Sequence, residues 1–254
     1  LKKLLLIVTI LASLNTTAAV NQKAQRSVLT QKLERQFKYN MKTADMDKLK
    51  KQVLKLKGKS VAALINVMKS DKYPDKNRWM ATFLLGRIMG KKSAPFISKF
   101  TMHPNWVMRM AALKSLLALG QTEYTDIYKK SLKDNSLIVR YQALENVKKL
   151  NLTGLAPNIW AMLYDKRNYH INEKLKSSKR AHIVKEIINT IGDLKFEKAQ
   201  GPLLSMIQKP KYSDIHSEIS DTLEKITGRR APTTSLKEKK RFWSKFAQAK
   251  VVIR

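Results

Sequence analysis

The chain has 254 residues, 43% of them hydrophobic, which is enough to bury a substantial core and excludes disorder over most of its length. Its 51 Lys and Arg against 19 Asp and Glu give a formal net charge of +32, which attracts anionic partners without specifying a fold. The absence of cysteine excludes disulfides, thiolate metal sites and cysteine nucleophiles.

Residues 1–19 read as a secretory signal peptide. Lys2 and Lys3 supply a positive start, and the apolar run over 4–14 is too short to span a bilayer, which needs roughly 20 residues. Thr17, Ala18 and Ala19 then put small side chains where a signal peptidase reads. Cleavage after Ala19 would lose only Lys2 and Lys3 among the charged residues, leaving +30, and would send the protein to the periplasm or out of the cell. Residues 20–44 form an N-terminal helical extension, with Val28, Leu29, Leu33, Phe37 and Met41 at helical intervals, able to cover the end of a stack.

Residues 45–56 predict a helix with Leu49, Val53 and Leu56 on one face, stopped by Gly58. Ser60 is placed to cap a second helix over 61–69. A regular repeat follows. Arg78, Arg109 and Arg140 are 31 residues apart, and Ala81, Ala112 and Ala143 keep that spacing. So do Leu85, Leu116 and Val147, then Ile88, Leu119 and Leu150. Each copy is a helix A and a helix B: 78–89 and 93–102 around Gly90, 106–119 and 122–133 around Gly120, 136–150 and 154–164 around Asn151. Pro95 and Pro157 fall in the first turns of their helices, where a missing N–H is harmless. The register then slips by about ten residues, read as a surface insertion over 166–176. It resumes with 180–191, a stop at Gly192, helix B over 195–208, and a last helix A over 214–226 ended by Gly228. The basic tail, 229–254, turns at Pro232 to Ser235 and uses Trp243 and Phe246 to close the core.

These copies resemble bacterial HEAT-like repeats. The likeness rests on Val107, Met108, Arg109, Ala111 and Ala112 with Leu116, Leu119 and Gly120, on Val139, Arg140, Ala143, Val147 and Leu150, and on the recurring helix ends at 85–88, 190–193 and 223–228. It covers roughly 46–246, with 45–228 as the repeat array proper. The resemblance implies an all-α fold, a right-handed α-solenoid of stacked helical hairpins whose concave side is lined by helix B. It also implies Asp–Arg ladders between repeats. Here Asp precedes Arg cleanly only as Asp134 before Arg140, and Ala181 and His216 replace Arg in later copies, so the ladder is expected to be partial and Arg78 and Arg109 to lack acidic partners.

His103, His170, His182 and His216 lie in unrelated contexts, and no phosphate loop or nucleophile elbow is present. The chain is therefore read as non-enzymatic, with no metal, cofactor or small-molecule substrate. The alkylpurine DNA glycosylases, an enzymatic HEAT-like family, use Trp and Asp on a basic face. Here Trp79, Trp106 and Trp160 are read as packing residues instead. The expected working surface is helix B and the insertion: Lys91, Lys92, Lys99, Tyr128, Lys129, Lys133, Lys166, Arg167, Tyr169 and His170. A monomeric scaffold holding a protein partner is the first expectation. Binding of nucleic acid, an anionic membrane surface or an acidic envelope polymer along a lysine stripe is the second.

Overall fold

The computed structural model describes residues 27–172, 177–180, 182–232 and 235–252. The expected signal segment lies outside these residues, as do 20–26 of the extension and the middle of the 232–235 turn. The chain divides into two compact units, 1–115 and 116–254, and each is a succession of helical hairpins, the all-α solenoid build expected from the repeat.

The first unit begins with helix α1 over 27–37, which buries Leu33 and Phe37 one turn apart. Helix α2 (Thr43–Leu56) buries Met46, Leu49 and Val53, the stripe its periodicity predicts. Helix α3 (Val61–Lys69) buries Ala63, Leu64, Val67 and Met68 against α4 (Asp75–Met89). Asn77 on α4 donates to the carbonyls of Phe37 at 2.7 Å and Tyr39 at 2.8 Å, tying the end of α1 to the first full repeat. Helix B of that repeat is only α5 (Ala94–Ser98), flanked by 3-10 turns at Gly90–Ser93 and Lys99–Met102. Ser60 does not cap α3 through its side chain. Its hydroxyl donates back to the Lys57 carbonyl at 2.7 Å, and Ser93 repeats the contact to Gly90 at 2.7 Å.

Helix α6 (Trp106–Ala118) carries the boundary between the units. The second unit continues with α7 (Thr125–Ser131), α8 (Leu137–Lys149) and α9 (Ala156–Ala161), then α10 (His182–Asp193), α11 (Gln200–Gln208), α12 (His216–Thr227) and α13 (Leu236–Val252). Between α9 and α10 stands a two-stranded antiparallel hairpin, β1 (Tyr169–Asn172) and β2 (Ser177–Arg180), with Tyr169 opposite Arg180 and Asn172 opposite Ser177. This corrects the sequence expectation. The insertion runs through 180 and not 176, and Arg180 ends a strand where it was read as starting a helix. Four-residue strands are too short to display a period of two that a sequence reading can register.

Helix A stops recur at one backbone position, and its occupant varies. Gly90, Gly120 and Gly228 have φ of 56°, 62° and 70°, and Asn151 has 51°, as the stops predicted. Elsewhere the positive φ belongs to Lys57, at 49°, and Lys195, at 50°, so Gly58 and Gly192 are not the stops they were read to be. Gly192 lies inside α10, where a Cβ would come within 3.0 Å of the Thr222 Cα on α12. Its role is close helix approach. At the far end Trp243 on α13 is fully buried and donates from Nε1 to the Ser220 hydroxyl at 2.9 Å, closing the core as expected.

Candidate partner-binding site

The register arginines hold the frame together. Arg140, 1% exposed, donates from Nη1 to the carbonyls of Asp134 at 2.8 Å and Asn135 at 3.1 Å, from Nη2 to that of Arg167 at 2.9 Å, and from Nε to Asn168 Oδ1 at 3.0 Å. Arg109 makes the matching pair one repeat earlier, from Nη1 to His103 at 2.9 Å and Pro104 at 2.7 Å. Arg78, also buried, turns instead to the Met68 carbonyl at the end of α3. It also reaches Asp75 Oδ1 at 3.5 Å, an acidic partner that was not expected. Each guanidinium thus satisfies loop carbonyls that helix geometry leaves open. Burial, followed by the charge of Arg78, holds the His103 imidazole below its ordinary pKa.

A ladder between repeats does exist in the second unit, with lysine in place of arginine. Lys148 on α8 contacts Glu186 at 2.8 Å and Asp193 at 3.1 Å on α10, and Lys225 on α12 contacts Asp193 at 2.6 Å. Lys185 and Glu218 add a second rung between α10 and α12 at 2.7 Å. The Asp193 carboxyl sits below its usual range; burial opposes that shift, and Lys225 and Lys148 outweigh it.

Of the ten residues expected to meet a partner, three have other work. Tyr128 is fully buried, its hydroxyl donating to the Gln121 carbonyl at 2.5 Å, with burial pushing the phenol well above its ordinary pKa. Its place on α7 faces the core, so it is not a surface aromatic. Arg167 is held by Asp165 at 2.7 Å and also donates to Asn135 Oδ1 and the Lys133 carbonyl, which braces the loop beneath Arg140. Tyr169 is half-buried and donates to the Leu163 carbonyl at 2.6 Å. Lys91, Lys92, Lys99, Lys129, Lys133 and Lys166 are exposed, the first three within one hairpin of the first unit. His170 is placed on β1, and its side chain lies outside the described residues.

The apolar surface that sequence reasoning missed is on helix A. In the first unit α2 and α4 leave a groove of about 360 Å³ between them. Met46 and Leu54 line it from α2, and Trp79, Met80, Phe83 and Leu84 from α4. Lys50, Lys76 and Arg87 complete the lining, and no lining side chain is acidic. Phe83 is 42% exposed and Trp79 is half-buried, with the Lys114 ammonium 5.5 Å from the Trp79 ring centroid. Trp106 is 41% exposed and departs from the expectation that the tryptophans pack, whereas Trp79 and Trp160 are half-buried. A signal was available: Trp79, Met110 and Tyr141 share the 31-residue spacing, a second register running along helix A.

Among the described residues no helix is long and apolar enough to cross a membrane, and no group of three or more His, Asp or Glu could hold a metal ion. The geometry defines an all-α helical-repeat protein with an open apolar groove, and its class can be stated more closely. Residues 61–148 match the family model for HEAT repeats, which supports reading that stretch as HEAT-like repeats. Such repeats generally serve as scaffolds for protein interaction. No curated protein matches the chain.

Proposed function

We propose that this protein is an exported, non-catalytic HEAT-repeat scaffold that holds a protein partner, with the groove between α2 and α4 as its main docking surface. The observation that carries this reading is the exposed Phe83 standing beside the half-buried Trp79 over an apolar floor. An apolar trough with an open aromatic at its edge marks an interaction site, whereas a single scattered apolar side chain does not. Buried Arg78 supports it, because its guanidinium ties α4 to the Met68 carbonyl at the end of α3. Export rests on the charge and apolar pattern of 1–19, and N-terminal sequencing of the native protein would then begin at Val20.

The test compares two faces. A photo-reactive benzoylphenylalanine placed at Phe83 is expected to give one discrete protein adduct in native cells, and the same group at Lys92 or Lys129 on the helix B side to give none. The identified partner, purified, should bind the wild-type chain and not the Phe83→Asp variant. Adducts confined to Lys92 or Lys129 would move the site to helix B. A second reading, polyanion binding, draws on the exposed Lys91, Lys92 and Lys99. Retention on heparin that disappears by about 0.15 M salt, where the Debye length is roughly 8 Å, removes that reading.

A further inference from the structure

We infer that the occupant of the α2–α4 groove is an acidic amphipathic helix, with three or four apolar side chains along one stripe and Asp or Glu on both flanks. This inference rests on the reading of the groove as the docking surface. On α2 the lining residues are Met46, Lys50 and Leu54, spaced one turn apart, and on α4 they run from Lys76 through Trp79, Met80, Phe83 and Leu84 to Arg87. Two helices thus form the walls of a trough, and α4 contributes about 16 Å of its length at 1.5 Å per residue. A partner helix lying in that trough presents about three turns, matching the i, i+3, i+4, i+7 anchor pattern by which amphipathic helices fill grooves. Met46 and Met80 at the floor can repack around anchors of differing shape.

The charges decide the flanks. Lys76 stands at one end of the α4 stretch and Arg87 at the other, with Lys50 on the opposite wall. Lys50 shares Asp47 at 3.0 Å, an exposed pair with room for a competing carboxylate. Among the described residues neither Lys76 nor Arg87 meets a carboxylate in an ion pair, so both are available to an incoming acid. A single-chain lipid carries its charge at one end and would leave two of these three cations unused. Carboxylates spaced along a helix meet all three, and an overall charge of +32 adds long-range attraction to them.

The experiment is isothermal titration of the full chain, at about 0.15 M salt, with two synthetic 18-residue helices of identical leucine stripe, one flanked by Glu and the other by Lys. Phosphatidylglycerol vesicles serve as a third probe. The Glu-flanked helix is expected to bind at one saturable site and the Lys-flanked helix not to bind. The double variant Lys76→Glu with Arg87→Glu, both at exposed positions, should weaken the first by roughly tenfold or more and acquire affinity for the second. Phe83→Asp should abolish binding with the melting temperature retained. Equal binding of both peptides, binding indifferent to Phe83→Asp, or vesicles bound in place of the helix would each overturn the inference. If both peptides fail while the Phe83 adduct to a discrete partner persists, the acidic helix alone is wrong. If the adduct is lost too, the docking surface itself is wrong.

Discussion

Arg140 and Arg109 occupy the same register position and make the same two contacts to carbonyls five and six residues earlier, yet they should differ in weight. Arg140 is 1% exposed and also holds Arg167 and Asn168, whereas Arg109 is only half-buried. Arg140→Ala is therefore expected to destabilise by about 2–4 kcal/mol, since it strands the buried Asn168 side chain and three part-buried carbonyls, and Arg109→Ala by about 1–2 kcal/mol. Arg140→Lys should recover little, because one ammonium cannot span acceptors on both sides of the fork. Urea denaturation of the three variants decides it, and equal losses at 109 and 140 would contradict the assignment. Lys57 offers the opposite sign. Its φ of 49° and ψ of −131° nearly match the 56° and −146° of Gly90, so a side chain stands where the backbone favours glycine. Lys57→Gly should raise stability by about 1 kcal/mol in the same assay, despite the entropy glycine adds to the unfolded chain. His103 brings a pH dependence. The unfolded chain takes up its proton near pH 6.5 and the folded chain only at lower pH, so stability is full above about 6.5 and declines as pH falls through that value. His103→Gln should flatten this part of the stability curve.

At the scale of elements, the contrast between Gly192 and Gly201 separates contact from propensity. Both are helical, but a Cβ at Gly192 meets the Thr222 backbone at 3.0 Å while one at Gly201 meets nothing within 4 Å. Gly192→Ala should destabilise by roughly 1–3 kcal/mol by pushing α10 off α12, and Gly201→Ala should stabilise by up to about 1 kcal/mol. Thermal unfolding of the two variants checks both signs. The sequence could not distinguish these glycines, because the partner atom of Gly192 is 30 residues away in the chain. Helix A, by contrast, was legible nearly to the residue: 106–119 was expected and α6 is Trp106–Ala118, 136–150 was expected and α8 is Leu137–Lys149. Repetition supplied what one amphipathic stripe could not. Helix B was blurred because α5 and α9 are one or two turns long and continue as 3-10, whose period differs. The groove was hidden for a related reason. Trp79, Met80, Phe83 and Leu84 share one side of α4, and sequence alone does not say which of them face neighbours and which face solvent. Lysines were visible in composition and drew the expectation to helix B, whereas Tyr128 and Arg167 show how an aromatic or a cation beside them can be structural.

Over the whole molecule, 32 uncompensated positive charges set the response to salt. Two electrostatic effects compete. The ion pairs between helices α8, α10 and α12, Lys148 with Glu186 and Asp193, Lys225 with Asp193 and Lys185 with Glu218, attract and are weakened by added salt. Each is partly exposed and worth at most about 1 kcal/mol. The excess lysines repel one another, and salt relieves that repulsion. At about 0.01 M salt the Debye length is roughly 30 Å, so each excess charge repels many others, while at about 0.15 M it is roughly 8 Å and only near neighbours count. Repulsion summed over so many charges outweighs a handful of pairs, and the same repulsion opposes self-association. The melting temperature should therefore rise by several degrees between these two concentrations of sodium chloride, and light scattering at the lower one should report a monomer. A melting temperature that falls over this range would mean that the ladder between helices outweighs the net charge. The excess lysines would then have to lie far enough apart for salt to leave them indifferent.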